Sequence, residues 1–162
     1  MMTINNVTIG YLKNHPEFID PLARYITEHW QPILKHDSVE ARKIKLRAHL
    51  NFDKFPIAWV AFSKATVFGT AALRVHDLET HQHLTPWLGG VFVLPEFRNR
   101  GIGSQLCKAV ELHAKHKFNI QKLFLFTLDQ QAMYSRLGWK LMEHCAWHDR
   151  PGVIMEKDLK TA

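Results

Sequence analysis

The stretch VFVLPEFRNRGIGSQL, residues 91–106, holds the pattern that decides the fold. An apolar run over 88–94 has the composition of a buried strand, and it stops at Pro95, which lacks the N–H that a central strand needs. A polar loop with two glycines follows, and then apolar residues recur at helical spacing over 104–117. A strand that leads through a glycine-containing loop into a helix predicts an α/β fold.

The loop between this strand and this helix has the composition of an anion site. Gly101 and Gly103 allow the backbone to approach a ligand closely or to adopt positive φ. The free N–H groups at the start of the helix and the helix dipole then favour a pyrophosphate, and Arg98 and Arg100 add positive charge. The pattern GxxxxGK[ST] is absent and no third glycine completes GxGxxG, so these two nucleotide loops are excluded. A helix start with two convenient glycines is the alternative.

The elements on either side extend the α/β pattern to the whole chain. We expect helices over 16–30, 38–50, 104–117 and 129–138, and strands over 4–11, 57–63, 66–75, 88–94, 122–127, 139–147 and 153–159. Turns are predicted at Lys64-Ala65 and at 149–152. This order predicts a single α/β domain, residues 1–162, whose mixed sheet carries helices on both faces.

Composition excludes several classes of protein. Of 162 residues, 46% are hydrophobic and 22% charged, and 8 Gly, 7 Pro and 2 Cys exclude disordered, collagen-like and disulfide-scaffold chains. No apolar run approaches the ~20 residues that span a bilayer, and the start resembles no signal peptide. We therefore expect a cytoplasmic protein with reduced thiols at Cys107 and Cys145. The net charge of +6 favours an anionic partner: nucleic acid, a membrane surface or a phosphorylated small molecule.

Two motifs together resemble the GNAT family of N-acetyltransferases. Arg98, Gly101 and Gly103 match the family's acyl-CoA pattern Arg/Gln-x-x-Gly-x-Gly/Ala. YSRLGW at 134–139 is similar to the family's Tyr-x-x-x-Gly-Phe segment, and the element order agrees from residue 4 to 159. The resemblance implies a single-domain GNAT-like fold with a mixed, mostly antiparallel central sheet and helices on both faces.

The resemblance also implies acetyl-CoA as co-substrate. In the family the pantetheine arm lies between separated strands four and five, which makes Phe92 and Val93 the expected main-chain partners. The pyrophosphate is expected on the N–H groups of the loop and the first helical turn, which belong to Arg98, Asn99, Arg100, Gly101, Ile102, Gly103 and Ser104. The cofactor that the family uses therefore has the charge that the loop predicts.

Acetyl transfer to an amine needs a neutral nucleophile, a stabilised oxyanion and a proton for the leaving thiolate. Tyr134 matches the family's general acid, and a phenol with a pKa of about 10 can protonate a thiolate whose pKa is about 8.5. The general base is open, because strand four carries no carboxylate. Candidates are found upstream and on the late strand: Asp77, Glu79, His81, His83, Glu143, His144 and His148. We single out Glu79 and His81, acting through water.

The predicted function is acetyl-CoA-dependent N-acetylation of a primary amine of a small molecule or peptide, by direct attack in a ternary complex. The expected partners are acetyl-CoA and the amine, with no nucleic acid, membrane or metal, in a monomer or homodimer. In the family the acceptor site varies, and here Trp30, Trp87, Asp77 and Glu79 are candidates to line it. Two alternatives remain: a non-catalytic acyl-CoA sensor, and a nucleic-acid-binding domain that uses the basic helix 40–50.

Overall fold

The computed structural model describes residues 6–160, so Ile4 of the predicted first strand and the ends of the predicted domain lie outside it. Seven strands and four α-helices follow in the predicted order. The strands are β1 (Thr8–Tyr11), β2 (Ile57–Ser63), β3 (Thr66–Arg74), β4 (Trp87–Val93), β5 (Lys122–Thr127), β6 (Lys140–Trp147) and β7 (Arg150–Asp158). The helices are α1 (Ile19–Trp30), α2 (Val39–Arg47), α3 (Ile102–Phe118) and α4 (Gln131–Arg136).

The strands form one sheet in the order β1-β2-β3-β4-β5-β7-β6. All neighbours are antiparallel except β4 and β5, which run parallel. A parallel pair needs a long crossover, and α3 supplies it. The expected mixed, mostly antiparallel sheet is confirmed.

Helices cover both faces of the sheet. Side chains alternate along each strand, so the apolar residues of β2 project to both faces and each face is covered by helices. Ile57, Trp59 and Ala61 of β2 pack in the same cluster as the buried stripe of α3. Ala58 and Val60 face the other way, into the cluster formed by α1 and α2. The expected three-layer arrangement is therefore confirmed.

Strands β4 and β5 separate almost at once. Their register contains the single pair Trp87↔Phe124, next to a hydrogen bond in which the Phe124 N–H donates to the Pro86 carbonyl at 3.1 Å. Within residues 6–160, no further pairing joins the two strands. A gap therefore opens in the middle of the sheet, on the carboxyl side of that pair.

A β-bulge bends β4 where this gap begins. Ala72 pairs with Gly89 and Thr70 pairs with Phe92, so two residues of β4 oppose one residue of β3. Gly90 adopts a φ of +58° within the bulge, a conformation that glycine takes without steric cost. The bulge follows the point at which β4 stops pairing with β5.

Several predicted boundaries differ from the observed ones by a few residues, among them the start of α1 and the end of α2, and two of the differences concern the loop before α3 and the last hairpin. Helix α3 begins at Ile102 rather than at residue 104, with Gly101 as its N-cap. The last turn lies at His148-Asp149, both at positive φ (47° and 63°), and the predicted turn residues 150–152 already belong to β7. A two-residue turn with both residues in the left-handed region matches the twist of the flanking strands, which explains the shorter connection.

Of the helices in the described part of the chain, none is both long and apolar enough to cross a membrane.

Candidate active site

The N-terminus of α3 leaves main-chain donors without partners inside the helix. Asn99 and Gly101 both adopt left-handed φ angles, 63° and 79°, and no side chain caps the helix. The first helical hydrogen bond runs from the Gln105 N–H to the Gly101 carbonyl at 3.1 Å. The N–H groups over 102–104 therefore have no acceptor in the helix, and together with the helix dipole they can bind an anion.

The two loop glycines are not demanded by packing within the protein. A Cβ at Gly101 would meet nothing within 4 Å, and one at Gly103 would meet only the Val93 Cγ2 at 3.7 Å, an ordinary contact. Gly101 is required by its φ angle, whereas Gly103 has a helical one. The missing side chain at Gly103 instead keeps open space beside the free N–H groups, as a closely bound ligand requires.

Both arginines of the loop are held against aromatic rings. The Arg98 guanidinium lies 5.5 Å from the Phe92 ring centroid, and its Nε–H donates to the Val93 carbonyl at 2.9 Å. The Arg100 guanidinium lies 5.9 Å from the Phe97 ring. Cation–π contacts of this kind keep two positive charges beside the N-terminus of α3.

The main chain of β4 that faces the gap belongs to alternate residues. The Leu94 N–H donates to the Phe68 carbonyl of β3 at 2.8 Å, and a Cβ at Gly69 of β3 would lie 2.6 Å from the Phe92 carbonyl oxygen. Phe92 therefore points its main chain at β3, which contradicts its predicted role toward pantetheine. Val93 faces the gap, and by the alternation of a strand Val91 does so too, since adjacent residues such as Phe92 and Val93 cannot both face it.

Tyr134 lies on α4, with 6% of its surface exposed, and packs edge-on against Trp139 with ring centroids 6.3 Å apart. Burial raises the pKa of Tyr134 well above its ordinary value, and the charges of Cys107 and Asp77 add to this. The phenol therefore stays protonated over the physiological pH range, as a proton donor must.

The thiols have the predicted environments. Cys107 is buried on the core-facing side of α3, and Cys145 is half-buried on β6; both are free. Burial raises the pKa of Cys107 to about 12 and also raises the pKa of Cys145. Neither thiol is activated as a nucleophile.

Of the two residues singled out as general base, Glu79 is exposed and His81 is engaged by other side chains. Glu79 is exposed, at the start of a short 3₁₀ helix over Glu79–His81. His81 Nε2 lies 2.7 Å from Glu143 Oε2 of β6, and its Nδ1 lies 2.7 Å from the Thr80 hydroxyl. The His81 contact joins the β3–β4 loop to β6.

A cluster that the sequence analysis missed lies against β4 instead. The Arg74 Nη1–H donates to Asp77 Oδ1 at 3.0 Å, and the Arg74 Nε–H donates to His49 Nε2 at 2.9 Å. Burial, followed by the Arg74 charge, lowers the pKa of His49 to about 4, so the ring is neutral. Asp77 was one of the named carboxylates, but no sequence signal joins it to a histidine 28 positions earlier.

The aromatic candidates for the acceptor site divide into two cases. Trp87 is fully buried and its Nε1–H donates to the Leu84 carbonyl at 2.7 Å, so it belongs to the core and the prediction that it lines a pocket is wrong. Trp30 is half-buried at the end of α1 and meets Trp147 of β6 edge-on, with ring centroids 5.5 Å apart. This contact joins the helical layer to the β6–β7 hairpin.

The basic run on α2 is partly neutralised. Arg42 pairs with Asp37 at 2.6 Å, and Lys43 pairs with Asp20 at 2.9 Å. Ser38 caps this helix by accepting from the Ala41 N–H at 3.1 Å. Two of the four cations of the run are thus held in intramolecular ion pairs.

Among residues 6–160, no three His, Cys, Asp or Glu side chains come together as metal ligands would.

Comparison with known proteins gives one family and many structures. The model of the acetyltransferase (GNAT) family matches residues 21–139. No curated protein matches the chain significantly. Both motifs of the site, the loop before α3 and the segment 134–139, lie within the matched range.

Solved structures with the same fold cover nearly the whole chain. An aminoglycoside 6'-N-acetyltransferase complexed with coenzyme A is 17% identical, with a TM-score of 0.71 over 94% of this chain and 97% of its own. The yncA protein of Salmonella typhimurium, solved with acetyl-CoA, is 16% identical, with a TM-score of 0.71 over 96% and 95%. A GNAT acetyltransferase of Staphylococcus aureus Mu50 is 20% identical, with a TM-score of 0.72 over 96% and 100%.

Proposed function

The chain belongs to the acetyltransferase (GNAT) family, and on this premise we propose that it transfers the acetyl group of acetyl-CoA to a primary amine. The amine attacks the thioester directly in a ternary complex. The observation that carries the proposal is the meeting of two features at one place: unpaired main-chain groups along β4 and free N–H groups at the start of α3. Such an edge inside a sheet is costly unless a ligand completes it.

Acetyl-CoA binds through main-chain groups in this proposal. The pyrophosphate lies on the loop and first helical turn formed by Arg98, Asn99, Arg100, Gly101, Ile102, Gly103 and Ser104. The pantetheine arm enters the gap beside Val91 and Val93, and it takes the place of a neighbouring strand. The Val93 carbonyl, which accepts from Arg98 in this structure, becomes available when Arg98 turns to the phosphates.

Tyr134 protonates the leaving thiolate. As the C–S bond breaks, negative charge develops on sulfur inside a site that excludes water, so the pKa of the thiol rises with that of the phenol. The high pKa of Tyr134 therefore does not prevent the transfer, and it ensures that the proton is present when the thiolate forms.

The acceptor is a cationic amine. Asp77 lies on the loop between β3 and β4, and Trp30 at the end of α1 contacts the Trp147 ring. Carboxylates and aromatic rings suit an ammonium group on an apolar or ring-shaped body. The aminoglycoside acceptor of one structural neighbour has this character. We further propose that residues 1–162 act as one domain, in the cytoplasm, as a monomer or homodimer.

The test combines binding with turnover. Isothermal titration calorimetry with acetyl-CoA is expected to show 1:1 binding to the wild type and none to Gly101→Glu, whose carboxylate repels the pyrophosphate. Gln121→Glu adds the same charge at an exposed site beyond the other end of α3 and is expected to bind as the wild type does.

Turnover is measured as thiol release from acetyl-CoA over a panel of an aminoglycoside, a polyamine and a lysine peptide. Release that depends on one of these amines supports the proposal. Tight acetyl-CoA binding with no amine-dependent release would favour the sensor function, and the absence of binding would contradict both.

A further inference from the structure

The loop after β3 places a carboxylate against β4, a strand that carries none of its own. A Cβ built on Gly89 would lie 2.8 Å from Asp77 Oδ1 and 3.2 Å from its Cγ. The Asp77 carboxylate therefore occupies the space that a side chain of β4 would fill at this position. Because Gly89 precedes the bulge, this space lies at the point where β4 and β5 separate.

Two side chains, Arg74 and His49, hold Asp77 in that space through a chain of hydrogen bonds. Arg74 donates to Asp77 through Nη1 at 3.0 Å, and to His49 through Nε at 2.9 Å. His49 is 7% exposed, and its Nδ1 lies 2.7 Å from the Lys45 carbonyl, which fixes Nδ1 as the donor and Nε2 as the acceptor. A Cβ at Gly90 would lie 2.7 Å from Arg74 Nη2, so the guanidinium rests on the bulge.

Asp77 keeps one oxygen for another partner. Arg74 engages Oδ1, and 18% of the Asp77 side chain is exposed. The carboxylate is also near enough to Tyr134 for its charge to act on the phenol. A carboxylate that is held by one oxygen can bind an ammonium group with the other and accept its proton when the neutral amine attacks.

We propose that Asp77 is the catalytic residue that receives the acceptor amine, held by Arg74 and His49 as positioning residues; this inference rests on the proposed acetyl transfer. Asp77 binds the amine by its N–H groups and aims the nitrogen lone pair at the thioester carbon. Glu79 and His81, which sit on the exposed 3₁₀ turn and against β6, do not take this role.

The acceptor ammonium first loses one proton to solvent, which frees the nitrogen lone pair. The neutral amine nitrogen then forms a bond to the thioester carbonyl carbon, the carbonyl oxygen takes up the electron pair of its π bond, and the second proton of the nitrogen passes to the free oxygen of Asp77. The C–S bond then breaks, the carbonyl double bond forms again as the sulfur leaves, and the sulfur takes the proton of Tyr134. The amide and coenzyme A leave, Asp77 releases its proton to solvent, and Tyr134 regains one from solvent.

The experiment measures kcat/KM with the amine of the panel that the wild type acetylates fastest. Asp77→Asn is expected to lose about 100-fold or more in kcat/KM, at unchanged acetyl-CoA affinity by calorimetry. Asp53→Asn, an exposed carboxylate on the loop before β2, is the matched control and is expected to retain activity. Asp77→Gly is assayed with and without added formate, which can enter the space of the missing carboxylate.

Rescue of Asp77→Gly by formate, but not by chloride at equal ionic strength, supports a direct role, because a structural loss would not respond to a free carboxylate. Unchanged turnover in Asp77→Asn would overturn the inference while leaving acetyl transfer intact. A loss confined to Glu79→Gln would also overturn it and move the role to Glu79. If the wild type acetylates no amine, the proposed function fails as well, so the two failures are distinguishable.

Discussion

Tyr134 combines two properties at the scale of a single residue: its ring packs in the core, and its hydroxyl is the proposed proton donor. We expect Tyr134→Phe to lower kcat by about 100-fold or more, because the thiolate then leaves without a proton. The ring and its contact with Trp139 remain, so the melting temperature and the acetyl-CoA affinity should change little. Thiol-release kinetics measure kcat, isothermal titration calorimetry measures the affinity, and thermal unfolding measures the melting temperature. Equal kcat values for the two proteins would contradict the assignment.

His49 links stability to pH. Its pKa is about 4 in the folded protein and about 6.5 in an unfolded chain. As the pH falls below about 6.5, His49 is protonated in the unfolded state but not in the folded one. The free energy of unfolding therefore falls by about 1.4 kcal/mol per pH unit because of this group, down to about pH 4. The stability that His49 contributes is therefore fully present above its unfolded pKa and absent at low pH.

This dependence is measured by urea unfolding at pH 7.5, 5.5 and 4.5 for the wild type and His49→Gln. Glutamine can still accept from Arg74 but does not titrate. The wild type is expected to lose more stability than the variant between the first two pH values, by about 1.4 kcal/mol. Parallel losses in both proteins would show that His49 is not the titrating group.

At the scale of elements, substitutions of the two glycines at the start of α3 are expected to change the stability in opposite directions. Gly101→Ala places a side chain at a φ of +79°, which costs about 1 kcal/mol of stability. Gly103→Ala adds a methyl group at a helical position with only an ordinary contact, and it should stabilise the helix by up to about 1 kcal/mol. Thermal unfolding without ligand should therefore show a lower melting temperature for Gly101→Ala and a higher one for Gly103→Ala than for the wild type.

Both alanine variants are expected to bind acetyl-CoA at least about tenfold more weakly, a change of about 1.4 kcal/mol. In Gly103→Ala the methyl group enters the space beside the free N–H groups, so stability and affinity move in opposite directions. Affinity equal to that of the wild type in Gly103→Ala would mean that the phosphates do not approach this turn.

The same element shows what the sequence can and cannot predict. The strand, loop and helix around residues 88–117 were readable because their signals are local: an apolar run, Pro95, two glycines and a helical stripe. The bulge at Gly90 was not, because it depends on how β4 pairs with β3. Which of Phe92 and Val93 faces the gap follows instead from the alternation along β4, which is a property of any strand and allows only one of two adjacent residues to do so.

Long-range contacts limited the prediction of the site in the same way. Glu79 and His81 were chosen by residue type and nearness in sequence, but His81 is engaged by Glu143 from β6, 62 positions later. Trp87 offered a large aromatic ring for a pocket, yet the core formed with Phe124 and Ile154 takes all of it. Partners distant in sequence decided each case, and a periodic pattern carries no information about them.

At the scale of the whole molecule, one pair, Trp87↔Phe124, joins a four-stranded half of the sheet to a three-stranded half. A ligand that lies in the gap bridges the two halves and should stabilise the folded state. At 100 times its dissociation constant, acetyl-CoA adds about 2.7 kcal/mol, or about 5–10 °C in melting temperature for a chain of this size.

Hydrogen exchange tests where this stabilisation acts. We expect the amides of Val91 and Val93 and those over 102–104 to become protected when acetyl-CoA binds, while the β6–β7 hairpin changes little. Gly101→Glu should show no protection at any of these amides. Protection of the helical turn alone, with β4 unchanged, would mean that pantetheine does not occupy the gap.

Because the gap is bordered by main-chain groups of β4, few of its side chains are constrained during evolution. Most of the groups that face it are peptide N–H and carbonyl groups, which every residue except proline supplies alike. Natural selection on such a site acts on the path of the backbone and on a few glycines, and it leaves the remaining side chains free to drift. Lineages can therefore keep the shape of the groove long after their sequences have diverged, while the side chains around the acceptor diversify from one descendant to the next.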